Sequence, residues 1–200
     1  MPLGFQINMA NDLRVVLLTL LSISAGDLLA QNVGDIFGGI TYSQISIKDE
    51  SSKNLGTFKL GVVGLGLAYV VIENLALEAN VFDGTSDSSL LNSRLGTVTV
   101  EVKNGYSLGL RPFIAFNESW GGYAKLGRQY GKQSIQPTII NRAIVQKPTD
   151  STYAHTVYGL GVSYNIDHKW GLSTEVSRSK KIDSEQSKSS AISMGIRYKF

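Results

Sequence analysis

Six charged side chains occupy positions that alternation turns to one side: Glu78, Arg111, Lys125, Glu175, Arg197 and Lys199. Each sits among Gly, Ser, Ala or Asn, opposite a face of Leu, Val, Ile and Tyr. Four cations and two carboxylates gathered in one interior suit either of two tasks. They could pass anions through a narrow gated pore. Alternatively they pack as a polar core, with Glu78 and Glu175 bridging Arg111, Lys125 and Arg197. The packed core is the expectation, because a buried ion left alone costs on the order of several kcal/mol. Thiol chemistry is excluded more simply. The chain has no Cys and only two His, so a thiolate site is impossible and a His-rich centre is not expected. His155 is expected to face inward near an outer rim and His168 to lie in a turn. No complete set of His with Asp, Ser or a second catalytic centre is visible within a shared strand or turn, so no catalysis and no cofactor are expected. Gly61, Gly64 and Gly66 resemble a phosphate loop only superficially, since they lie in an alternating run with no helix after them. Asn117-Glu118-Ser119 matches a glycosylation sequon but falls in a turn expected to face the periplasm.

The elements that must position these residues follow from composition and periodicity. The 200 residues are 42% hydrophobic and 18% charged, which rules out a disordered chain. A net charge of +3, with no basic run longer than Lys180-Lys181, gives no footprint for nucleic acid. Val15 to Ser24 reads VVLLTLLSIS, preceded by Arg14 and followed by small residues up to Leu28-Leu29-Ala30. That is the pattern of a cleaved secretory signal peptide over residues 1–30, and a buried amphipathic helix is the alternative. The mature domain would then be residues 31–200. After this leader the longest uncharged run, Leu60 to Ile72, is too short for a membrane helix and is broken by three glycines.

The remaining pattern has period two, which is that of strands. Ile192, Met194, Ile196, Tyr198 and Phe200 alternate with Ala191, Ser193, Gly195, Arg197 and Lys199. Similar alternation over Leu75–Phe82, Ser107–Phe116 and Val157–Asn165 predicts eight strands near 34–47, 57–72, 75–84, 98–116, 120–132, 151–165, 170–180 and 189–200. Short connections at Glu73-Asn74, Asn117–Ser119 and Ile166–Lys169 alternate with long ones at Lys48–Gly56, Asp83–Thr97, Gln133–Asp150 and Lys181–Lys188. The fold class predicted is all-β: an eight-stranded, antiparallel, up-and-down transmembrane β-barrel. A soluble lipocalin-like barrel shares the periodicity but would need a well-charged outer face, whereas here the polar face suits a narrow lumen. Tyr69, Trp120, Tyr164, Trp170 and Tyr198 cluster near the short turns, where an interfacial aromatic girdle would sit.

Three stretches then carry a resemblance over roughly residues 34–200: IENLALEA (Ile72–Ala79), YGLGVSYNIDHKWGLSTEVSR (Tyr158–Arg178) and the terminal ISMGIRYKF (Ile192–Phe200). They resemble the small eight-stranded outer-membrane barrels of Gram-negative bacteria, of OmpA/OmpX type and the opacity-like porin family. The resemblance implies location in the outer membrane and inward Glu with Lys or Arg. It also implies that Ile192, Met194, Ile196, Tyr198 and Phe200 form the signal read by the barrel-insertion machinery. The peptidoglycan-binding domain of longer relatives is not in this sequence. The expected function is non-enzymatic: support of envelope integrity, with surface binding of a host or envelope protein through the loops. A narrow solute channel is the alternative, followed by a barrel enzyme and a secreted soluble barrel. A monomer is expected.

Two surface features bear on partners. Gln133–Asp150 is long and apolar, with Ile139, Ile140, Ile144 and Val145. Its tip, together with the alternating Thr97–Val102, would either dock a partner or extend the strands above the membrane. Arg128, Arg142, Lys147, Arg178, Lys180 and Lys181 would form a rim that holds lipopolysaccharide phosphates, with a solvated rim as the alternative.

Overall fold

The computed structural model describes residues 32–49, 57–92, 96–138, 149–181 and 187–200. The leader expected over residues 1–30 lies outside them. Nine strands form: β1 (Ile36–Asp49), β2 (Thr57–Ile72), β3 (Leu75–Gly84), β4 (Asp87–Asn92), β5 (Gly96–Ala115), β6 (Trp120–Thr138), β7 (Thr149–Asn165), β8 (Trp170–Lys181) and β9 (Ser187–Lys199). All pair antiparallel in the order β3-β2-β1-β9-β8-β7-β6-β5-β4, and β3 also pairs with β5. That last pairing closes the sheet. The closed wall therefore has eight staves, because β4 continues the course of β3 along β5 after a break at Thr85-Ser86.

Closure fixes the tilt. The row Lys48, Lys188, Lys180, Thr156, Arg128, Leu108, Ala79, Leu67 returns to β1 at Gly38, ten residues below its start (48 − 38). A shear of this size on eight strands tilts them by roughly 40° and leaves an interior that side chains can nearly fill. No edge is left unpaired through the wall, as a bilayer requires.

Alternation sorts the faces. Leu67, Val81, Leu108, Leu126, Val176, Ile192, Met194 and Ile196 point outward; Met194 is 68% exposed and Ile196 52%. Such exposure of aliphatic side chains is untenable in water over this area and is what hydrocarbon contact demands. Aromatic rings gather at the short-turn end, with Trp120 on Tyr164 and Trp170 on Tyr198, each pair at 4.9 Å. Phe200 packs beside Tyr198 at 5.2 Å and covers Gly38, where a Cβ would meet its ring at 2.9 Å. The terminal aromatic thus fills a gap left by the first strand, and its N–H reaches the Ile36 carbonyl at 3.0 Å.

Two turns share one construction. Asn117 Oδ1 accepts the N–H groups of Ser119 at 2.9 Å and Trp120 at 2.8 Å. Asp167 Oδ1 accepts those of Lys169 and Trp170, both at 2.7 Å. The side chain mimics a backbone turn in each case. The third short turn places Asn74 at φ 64°, a left-handed conformation that Asn tolerates.

Several expected loops are partly strand. Asp83–Thr97 contains β4, Gln133–Thr138 belongs to β6, Lys48-Asp49 to β1, and Ser187-Lys188 to β9. The physical reason is a parity change. β5 shifts register between Val102 and Gly105, so Val100 and Val102 face inward on the outer side of a break that the single period expected over 98–116 does not contain.

Candidate functional site

The interior has two chemically distinct regions. Nearest the short turns is a chamber of about 170 Å³, lined by Glu78, Arg111, Lys125, Glu175 and Arg197 among small residues. Glu78, on β3, is only 8% exposed. It receives Lys125 Nζ of β6 at 2.6 Å on one oxygen and Arg111 Nη1 of β5 at 3.4 Å on the other. Asn80 Nδ2 also donates to Glu78 at 2.8 Å and to the Ser107 hydroxyl at 3.2 Å. The carboxylate therefore has charged donors on both oxygens and a neutral third donor, which offsets its desolvation. The Arg111 guanidinium lies 3.6 Å from the centroid of the Tyr123 ring, a cation–π contact.

The other expected members diverge from the bridging arrangement. Arg197 donates to Asn165 Oδ1 at 2.5 Å. Lys199 pairs with Asp35 at 2.5 Å, below the chamber and at the start of β1. Glu175 lines the chamber but makes no ion pair within 4.0 Å among the described residues. One carboxylate, Glu78, thus does the bridging expected of two. The reason is register: Glu78 stands across from the β5–β6 cations, while Arg197 lies lower, opposite Gly171. Asp35 and Asn165 were missed because each sits at the end of a predicted strand, Asp35 at the start of the first and Asn165 at the close of the sixth, where alternation assigns no partner.

Toward the far end polar lining gives way to apolar packing. Above the ionic residues come hydroxyls, including Ser43 and Ser193 with their oxygens 2.8 Å apart. Beyond them Phe58, Leu60 and Val62 of β2 and Val100 and Val102 of β5 form a buried cluster, with Ile45, Ile47, Phe82 and Leu90 against it. Leu60 is 0% exposed. Here β2 and β4 face each other without a ladder: Ser86 and Ser88 hydroxyls accept from Gly61 N at 2.8 Å and Lys59 N at 3.1 Å. The outer ends of β1 and β2 and of β4 and β5, parts of the one sheet, therefore meet through this apolar cluster.

His155 lies inward near this level, as alternation predicts. Its Nδ1 is 3.2 Å from the Ser179 hydroxyl of β8, which is 2.5 Å from the Ser189 hydroxyl of β9. The Tyr153 ring packs at a tilt beside His155, with centroids 4.8 Å apart, and its hydroxyl accepts from Gln129 Nε2 at 3.2 Å. A Ser–His contact therefore exists across neighbouring strands, where reading along one strand could not find it. The space beside it is about 50 Å³, less than two water molecules' share of liquid volume at about 30 Å³ each.

The outer face carries the cations of the expected rim. Arg128 on β6 and Arg178 and Lys180 on β8 alternate in step with outward Leu126, Val176 and Trp170. Thr156 joins Arg128 to Lys180 by direct register. Arg142 and Lys147 lie outside the described residues, as do Ile139, Ile140, Ile144 and Val145. Lys181 ends β8 in register with His155 rather than with the outward set. Beyond the barrel wall, Asp150 pairs with Lys103 at 3.3 Å. Its carboxyl is held below the usual range by the Ser134 hydroxyl and then by Lys103.

Comparison with known proteins agrees with this architecture. The family described as outer membrane protein beta-barrel domain matches residues 14–200. No curated protein sequence matches the chain. Among solved structures, the attachment invasion locus protein Ail of Yersinia pestis aligns at 18% identity over 84% of this chain and 100% of its own, with a TM-score of 0.57. Neisserial surface protein A aligns at 12% identity over 82% and 97%, with a TM-score of 0.59. OprG of Pseudomonas aeruginosa aligns at 15% identity over 87% and 99%, with a TM-score of 0.53. At these identities the structural likeness concerns the fold.

Proposed function

Because this chain belongs to the outer membrane protein beta-barrel domain family and lies in the bacterial outer membrane, we propose that it works there as a closed, non-enzymatic barrel. It supports the envelope and presents a rigid β-extension for binding at the cell surface. The observation that carries this reading is the apolar cluster around Leu60 at the outer mouth. Phe58, Leu60, Val62, Val100 and Val102 offer water and ions no polar group, and the space beside them at His155 is only about 50 Å³, which supports reading the polar chamber beneath as a blind end. Reconstitution in planar bilayers tests this directly. No discrete current steps are expected; stable steps would instead favour the narrow channel.

The β4–β5 hairpin and the extended ends of β6 and β7 form the surface presented outward. A host or envelope protein is the partner class proposed for it and for the loop at 139–148. The lipid-facing Arg128, Arg178 and Lys180 form the second contact, with lipopolysaccharide. Their long stems lie along apolar wall while the charged heads reach phosphate. Ail has been crystallised with the heparin analogue sucrose octasulfate, so an anionic surface ligand has precedent on this fold. We assign residues 1–30 as the removed leader and Ile192, Met194, Ile196, Tyr198 and Phe200 as the segment read during insertion. Catalysis is not part of the reading, since the cleft at His155 and Ser179 is too small for a substrate. A serine-directed fluorophosphonate should leave Ser179 unlabelled, and labelling there would reopen an enzymatic role.

A further inference from the structure

The inner chamber holds an unbalanced set of charges. Arg111, Lys125 and Arg197 line it with Glu78 and Glu175, three cations against two carboxylates. Glu78 is already committed to Lys125 and Arg111. Arg197 has no carboxylate within 4.0 Å among the described residues. Its partners are neutral: the Asn165 amide oxygen at 2.5 Å and the face of Phe37, with its centroid 5.6 Å away. A guanidinium has five N–H donors, so among the described residues these contacts leave most of its donor capacity unused. Arg111 and Arg197 also act on each other as like charges. The Asp35–Lys199 pair below is internally neutral and does not correct the excess.

We propose that the chamber binds one small monovalent anion of halide size beside Arg197, on the side facing Arg111. The volume of about 170 Å³ holds such an ion with a few waters. The Ser and Thr hydroxyls that line the chamber wall, Thr41 and Ser173 among them, supply neutral donors. Larger anions, such as a sulfated sugar, exceed the space. Approach from the periplasmic end rests on the closed outer mouth proposed above, but binding itself does not.

Bromide provides the probe. Crystals of the refolded barrel in bromide should give an anomalous peak beside Arg197. In detergent, thermal unfolding should move upward in chloride relative to gluconate at equal ionic strength. Glu175→Gln removes a nearby negative charge and should tighten halide binding roughly tenfold; Arg197→Gln should abolish the peak. The Glu175→Gln arm keeps the test decisive if Arg197→Gln fails to fold. An empty chamber at saturating bromide, a peak confined to the outer surface, or identical unfolding in the two salts would overturn the site. Conductance steps with a retained bromide peak would remove the closed mouth and leave the anion site standing.

Discussion

The two ends of the lumen are held together by different physics. Near the short turns, the interior is held by charge, with Glu78 at 2.6 Å from Lys125 and 3.4 Å from Arg111. At the outer mouth it is held by packing, with Leu60, Phe58 and Val102 removed from solvent. Ion pairs tolerate adjacent water but depend on having both partners. Apolar packing tolerates no water but degrades gradually when a methylene is lost. One barrel therefore carries a polar chamber within the bilayer and an apolar cluster toward its outer mouth, and each should fail in its own way.

The largest expected effect comes from breaking the charged end. Glu78→Gln leaves Arg111 and Lys125 facing each other without the carboxylate that pairs them and should cost about 3–5 kcal/mol in urea unfolding from micelles. Combining it with Arg111→Met and Lys125→Met should recover most of that loss, because the desolvation cost leaves with the pair. At the packed end, Leu60→Ala should cost about 3 kcal/mol by the same measurement. It should show no such rescue by charge removal. The contrast between outward and inward faces gives a third test. Met194→Lys should destabilise by about 2–4 kcal/mol through contact with hydrocarbon, while Ser193→Lys, one residue away on the lumen side, should change stability less.

These regions were unequally legible in the sequence. Period-two alternation placed Glu78, Lys125 and Arg197 inside because parity survives along each strand. It also set the aliphatic wall, since Ile192, Met194 and Ile196 repeat without interruption. Pairing was harder. Whether Arg197 meets Glu175 or Asn165 depends on the offset between β8 and β9 and on the strand tilt, and neither is encoded in one strand's pattern. The outer closure was less legible still. The irregularity between Val102 and Gly105 reverses parity in β5, and Thr85-Ser86 breaks the third stave, so β4 read as a loop. One signal was available and unused: Phe116-Asn-Glu-Ser-Trp and Ile166-Asp-His-Lys-Trp repeat an Asn/Asp-x-x-Trp turn. That repeat marks two turns of one construction at the same end of the barrel.

The smallest expected effect lies in those turns and depends on pH. Asp167 lies outside the membrane span, and its carboxyl is held below the usual carboxylate range by the N–H groups of Trp170 and Lys169. A depressed folded-state pKa stabilises above the unfolded value and loses that contribution as pH falls through the folded one. Amide exchange at Trp170 should therefore quicken below about pH 4. Asp167→Asn, which reproduces the Asn117 turn, should remove the pH dependence and leave the turn intact.

Access to the chamber tests the central claim most directly. The chain has no native Cys, so Ser193→Cys supplies a single thiol beneath the apolar cluster. In oriented vesicles a small charged thiol reagent should modify it from the periplasmic side and leave it untouched from the outer side. Equal modification from outside would mean that water crosses the layer around Leu60, and the barrel would be an open pore.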